Sequence, residues 1–257
     1  INYVRKYLGV ENKGVGNSVS YTYVDINNDG YEDIFYSYRS DSKDKPMRPD
    51  IFLNKGHKDY ELATDTFLPD EYKGNIHTRK TIVGDFNNDN LPDLLMCNHG
   101  YDSEPFVGEE NTLLLSDKNN KKYKLGKLPN EVGVGFFHSG ASGDLNGDKN
   151  LDIILPNSKN GVLLLYGKGD GTFEIKKADN LNASGYITTE IYDVNKDGQN
   201  DIILTGDEGY GPKSLQSIST IFINQNNTFT PIKICDINNE GFSLVMDIAI
   251  GDLDSDD

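Results

Sequence analysis

The stretch Asp144-Leu145-Asn146-Gly147-Asp148-Lys149-Asn150-Leu151-Asp152-Ile153-Ile154-Leu155 decides how this chain folds. Oxygen-bearing side chains stand at its first, third, fifth and ninth positions, and an apolar run follows at once. Side-chain oxygens at every second residue, closed by a further carboxylate, suit a hard cation that takes six to eight oxygen ligands. The run behind them is short and rich in branched residues, so it reads as a buried strand rather than a helix.

Outward from this stretch, the same text recurs. The other complete copies are Asp25-x-Asn27-x-Asp29-Gly30-x-x-Asp33, Asp85-x-Asn87-x-Asp89-Asn90-x-x-Asp93 and Asp193-x-Asn195-x-Asp197-Gly198-x-x-Asp201. A fifth begins at Asp252-x-Asp254-x-Asp256, where the chain stops. The first aspartates are 60, 59, 49 and 59 residues apart, a period at or near that of repeat arrays. An alternating segment precedes each loop (18–24, 78–84, 136–143, 186–192, 242–251), and a β-rich run follows it: Ile34-Phe35-Tyr36, Leu94-Leu95-Met96, Ile153-Ile154-Leu155, Ile202-Ile203-Leu204. A third strand is expected at 51–53, 113–115, 162–166 and 220–223. A fourth opens at an aromatic residue after a Gly- and Asn-rich turn: Tyr60, Tyr123, Phe173, Phe229.

Each unit thus reads as four short strands in meander order, and such units at this period are the blades of a β-propeller. The expected fold is all-β, one propeller domain or fragment over 1–257. Its blades cover about 18–70, 76–130, 135–181 and 185–236, with a partial fifth at 242–257. Four blades and one strand do not close a ring comfortably, so a larger parent propeller, for example seven-bladed, is expected. A start at Ile1 and a stop inside a loop read the same way. An EF-hand is excluded, because its twelfth position needs an acid and here holds Tyr36, Met96, Leu155 and Leu204.

Composition narrows the partners. Acidic residues outnumber basic ones by 41 to 25, a net charge of -16, and much of that excess sits in the loops. Nucleic-acid binding needs a basic footprint and is not expected. No stretch approaches the ~20 apolar residues of a membrane span. Cys97 and Cys235 are expected as two separate buried thiols.

The chain resembles the FG-GAP/VCBS repeats of integrin α-subunit propellers and their bacterial relatives. The residues that carry the resemblance are Gly143-Asp144-Leu145-Asn146-Gly147-Asp148 with Leu151-Asp152-Ile153-Ile154, and the downstream hairpin 167–173. It covers nearly everything from residue 18 onward. It implies calcium in the loops, at about four sites. The implied ligands are Asp25, Asn27, Asp29, the Tyr31 carbonyl and Asp33; Asp85, Asn87, Asp89, the Leu91 carbonyl and Asp93; Asp144, Asn146, Asp148, the Asn150 carbonyl and Asp152; and Asp193, Asn195, Asp197, the Gln199 carbonyl and Asp201. The sixth loop residue departs from glycine at Asn90 and at Lys149, and lysine is the costlier of the two in a left-handed backbone.

The expected role is an extracellular or cell-surface recognition module that binds a protein or glycan on one propeller face. That face would carry the long second-to-third-strand connections 39–50, 100–111 and 206–219. The competing reading is a carbohydrate-active enzyme, polysaccharide lyase-like, on the same scaffold. His77, Arg79, Lys80, His99, Tyr101 and His138 invite it, but they share no motif and read as surface or packing residues, so no catalytic residue is assigned.

Overall fold

The computed structural model describes residues 18–56, 59–158, 161–176, 181, 186–206, 219–233 and 248–251. They form four four-stranded antiparallel sheets, each in meander order. The first holds β1 (Ser18–Val24), β2 (Asp33–Tyr38), β3 (Asp50–Asn54) and β4 (Tyr60–Leu62). The second holds β5 (Thr78–Gly84), β6 (Asp93–Asn98), β8 (Thr112–Asp117) and β9 (Asn120–Leu125). Between β6 and β8 a short strand, β7 (Glu109–Glu110), pairs with β10 (Val134–Gly135). The third sheet is β11 (Ala141–Gly143), β12 (Asp152–Asn157), β13 (Gly161–Gly167) and β14 (Phe173–Lys176). The fourth is β15 (Thr188–Tyr192), β16 (Asp201–Thr205), β17 (Thr220–Gln225) and β18 (Thr228–Lys233). One helical turn, Thr64–Phe67, is the only helix among the described residues, and its Phe67 is buried under the first sheet.

The sheets stack face to face, which explains the unbroken apolar runs. An antiparallel sheet with one wet face alternates, whereas one covered on both faces does not. In β6, Leu94 and Met96 join the core shared with Phe35, Ile51 and Leu53 of the first sheet. Leu95 and Cys97 face the other way, into a core with Phe137, Ile153 and Leu155 of the third sheet. In β12, Ile154 turns from that core to a third one with Ile202, Leu204 and Phe222. Residues 94 to 97 are all fully buried, as both-face burial requires.

The first strands β1, β5, β11 and β15 lie side by side in chain order. Thr22 Oγ1 donates to the Thr81 carbonyl and Ser142 Oγ to the Val83 carbonyl, fastening neighbours. Lys80 on β5 reaches past the third sheet to Glu190 on β15, Nζ to Oε1 2.7 Å. No closed ring is present among the described residues. The fifth unit expected from 242 falls outside them except for 248–251, as does Cys235; Cys97 is a free, buried thiol.

Candidate metal-binding loops

Each copy of the acidic motif is the turn joining the first two strands of a sheet, and its ninth residue opens the second strand. Asp33, Asp93, Asp152 and Asp201 are fully buried. Their two oxygens divide the work in the same way every time. One accepts the N–H of the second loop residue: Ile26 at 2.9 Å, Phe86 at 2.7 Å, Leu145 at 2.8 Å, Val194 at 3.0 Å. The other accepts an N–H from the end of the third strand: Asn54 at 2.8 Å, Ser116 at 2.6 Å, Gly167 at 2.9 Å, Asn224 at 2.8 Å. A buried N–H left without an acceptor costs about 1–3 kcal/mol, so these carboxylates are structural whatever else they hold.

The exposed part of the loop is shaped by the other three side chains. Asp25 accepts the N–H groups of Asp29 and Gly30, Asn27 that of Asp29, and Asp29 that of Tyr31. The second and fourth loops repeat this set at Asp85, Asn87 and Asp89 and at Asp193, Asn195 and Asp197. In the third loop Asp144 accepts from Asn146, Gly147 and Lys149, Asn146 from Asp148, and Asp148 from Asn150. Asn side chains in such turns satisfy the backbone locally.

Two residues per loop take a left-handed backbone, at the fourth and sixth positions. They are Asn28 (φ 56°) and Gly30 (φ 90°), Asn88 (φ 56°) and Asn90 (φ 62°), Gly147 (φ 80°) and Lys149 (φ 71°), and Lys196 (φ 59°) and Gly198 (φ 87°). The sequence flagged Lys149; it did not flag the fourth position. The lysines are distributed so that no loop strains both places, and in the two lysine-bearing loops the partner is glycine.

Burial pushes Asp93 and Asp152 up to about 6 and raises Asp33, against the hydrogen bonds that favour their charged forms. Neighbouring loop carboxylates push the same way: Asp29 and Asp25 on Asp33, Asp89 on Asp93, Asp148 and Asp144 on Asp152. Each loop therefore gathers negative charge that a divalent cation would neutralise. Among the described residues no three carboxylate, histidine or cysteine side chains converge into a ready-made coordination sphere. A cation here needs the asparagine and main-chain oxygens as well, which is the all-oxygen donor set of a hard ion.

The far end of the sheets is built differently. Connection 39–49 is bound to the strand entering the second sheet, with Ser40 N–H donating to the Ile76 carbonyl and Met47 and Asn75 exchanging N–H···O bonds of 2.8 and 3.0 Å. Glu109 accepts from the N–H groups of Ile76 and His77, and Arg79 pairs with Asp102 at 3.2 Å. Connection 100–111 exposes Val107 there. Of connection 206–219, residues 207–218 lie outside those described. Three of the four histidines meet at this end. His99 stands edge-on to His77 (5.6 Å between ring centres), His138 (4.6 Å) and Phe136 (5.1 Å). Sequence reading left these histidines unconnected, because the fold joins them across two sheets. His77 and His99 are buried, and burial, reinforced by Arg79, His99 and Arg39, pushes His77 down to about 3, so its ring is neutral.

Four short meanders, each pinned by a buried aspartate behind an acidic turn, define an all-β repeat protein. Residues 25–96 and 144–204, together more than half of the chain, match the FG-GAP-like repeat model, and the chain belongs to that family. Among solved structures it is similar to the V. cholerae biofilm matrix protein Bap1, at 14% identity and a TM-score of 0.43, with 83% of this chain and 28% of that chain covered. The chain therefore spans less than a third of that protein's length. No curated protein matches it. Among the described residues no helix is long and apolar enough to cross a membrane.

Proposed function

We propose that the four sheets are blades of a calcium-stapled propeller that works outside the cell as a recognition module. One observation carries the reading: the same loop, with the same inward-turned carboxylates and the same left-handed pair, recurs four times. Neighbouring loop carboxylates repel one another, and a cation that turns the repulsion into cohesion stabilises the fold by linkage. Asp25, Asn27, Asp29 and Asp33 and their counterparts would hold it, joined by the carbonyls of Tyr31, Leu91, Asn150 and Gln199. Exposed loops of this kind suit affinities of ~10⁻⁵–10⁻³ M, which are useful where calcium is millimolar. The Lys80–Glu190 contact between the second and fourth sheets supports a fan curved about an axis on the side of the first strands.

Partner recognition, of a protein or a glycan, falls to the face where 39–49 and 100–111 are anchored at both ends but bulge between. The lyase reading finds less support, since His77 and His99 are packed in the interior and His138 is half-buried. Calcium titration with calorimetry and thermal unfolding tests the proposal. About four sites and a rising Tm are expected; a Tm indifferent to calcium and to chelator would remove the stapling role.

A further inference from the structure

The three seams between neighbouring sheets are not alike at the loop end. Between the second and third sheets, Gly171 N–H donates to the Phe86 carbonyl at 2.9 Å, and Asn88 Nδ2 donates to Asn150 Oδ1 at 2.9 Å. Between the third and fourth, Asn224 and Asn200 donate side-chain N–H bonds of 2.7 and 2.9 Å to the Leu145 and Asp144 carbonyls. Between the first and second, no hydrogen bond among the described residues joins the turn after β8 to the first loop. Two sequence differences explain it. The residue corresponding to Asn150 is Leu91, which has no polar side-chain atom. The turn corresponding to 167–173 is the tight Asp117-Lys118-Asn119-Asn120, too short to lie across its neighbour.

What remains is a cavity of about 610 Å³, within the ~300–1,000 Å³ usual for ligand sites. Its floor is the buried surface of Leu53, Phe67 and Tyr123. The Tyr123 hydroxyl is already bound to the Pro92 carbonyl. Its rim offers hydroxyl and amide groups from Thr66, Asn119 and Asn120, the ammonium groups of Lys118 and Lys121, Asn27 and Asp29 of the first acidic loop, and Lys55, which is paired with Glu61. Neither Lys118 nor Lys121 forms an ion pair with a described residue, whereas Asp117 beside them is neutralised by Lys124 at 2.5 Å. Two unpaired cations outnumber the one lining carboxylate that no lysine pairs, Asp29, and in a chain of net charge -16 they make this mouth locally receptive to anions. The floor rings are too covered to stack a nucleobase, which disfavours nucleotides. Hydroxyl and amide donors around an apolar floor match a sugar ring with its many hydroxyls.

We propose that this open seam binds a short anionic saccharide, with Lys118 and Lys121 taking its carboxylates and Thr66, Asn119 and Asn120 its hydroxyls. The site lies at the opposite end of the sheets from the face assigned above and does not depend on that assignment. The test is calorimetry of the calcium-loaded chain with trigalacturonate and with its methyl ester, which keeps the sugars and removes the charge. Saturable binding of the acid, weaker binding of the ester, and a loss of about tenfold or more in the double variant K118E/K121E are expected. Thr66 is exposed at the cavity mouth, so Thr66→Trp fills the space with little strain and abolishes binding while leaving Tm in place. Absence of saturable binding, equal affinity for the ester, or binding that survives both variants each overturns the proposal.

Discussion

The seam between the second and third sheets and the seam between the first and second differ less in their cores than in how they are sealed. Both bury an uninterrupted apolar layer, with Leu94 and Met96 on one side of β6 and Leu95 and Cys97 on the other. The former is sealed at its loop end by Gly171 and Asn150 and at its far end by edge-on rings; the latter has no such seal at the first loop and is closed at its far end and by the Lys122–Asp70 pair. Apolar burial therefore holds neighbouring sheets together wherever they meet, while single polar residues at the margins decide whether a cavity is left.

Changes at the margins should break or sharpen that contrast. The largest effect is expected at Gly171, whose φ is +79° and whose added Cβ would come within 2.6 Å of Leu115. Gly171→Ala should cost about 3–4 kcal/mol in denaturant unfolding, from backbone strain plus overpacking. Asn119→Ala, in the corresponding turn of the open seam, should stay within about 0.5 kcal/mol. At the ring-stacked end, His77 is held neutral in the folded chain but titrates near 6.5 when unfolded. A group whose pKa falls on folding lends stability that is intact above the unfolded value and drains away as pH drops below it. His77 contributes a loss of about 2–3 kcal/mol between pH 7 and 4, while Asp93 and Asp152, raised to about 6, pull the other way over the same range. The readout is therefore the difference between the parent chain and His77→Phe, and a difference that stays constant from pH 7 to 4 would contradict the assignment. Asn150→Ala deletes one exposed cross-seam hydrogen bond and should cost about 0.5–1 kcal/mol. Smallest of all, Leu91→Asn installs the missing seal opposite Asn28 and should gain at most about 0.5 kcal/mol, with a measurable loss of any saccharide binding.

The loops and the strands beside them were legible because their information is local. Nine residues set a turn, and Ile153-Ile154-Leu155 or Leu94-Leu95-Met96 announces a strand covered on both faces. β1 and β5 fall on the expected segments 18–24 and 78–84, whereas β11 is shorter than its expected segment because pairing with β12 is continuous only over Ala141–Gly143, with Phe137 joined to Asn157 by an isolated bridge. What escaped reading is what depends on distant partners. The meeting of His77, His99 and His138 requires two sheets in place, as does the pairing of β7 with β10. The helical turn Thr64–Phe67 has no amphipathic period to betray it; Phe67 is held there by the core beneath it. The left-handed fourth loop position was missed because glycine marks it only at Gly147.

The aspartate that opens every second strand has a mechanical corollary. Because its carboxylate grips one N–H ahead of the strand and another at the close of the third strand, three segments are keyed to a single residue, and sliding by one position would pull that key from its lock. Length changes are thereby forbidden within the nine-residue loop and tolerated in the connections at the other end, where the link from β2 to β3 spans 39–49 yet that from β12 to β13 is only 158–160. The scaffold can acquire new surface loops on one side without ever disturbing the alignment of its strands.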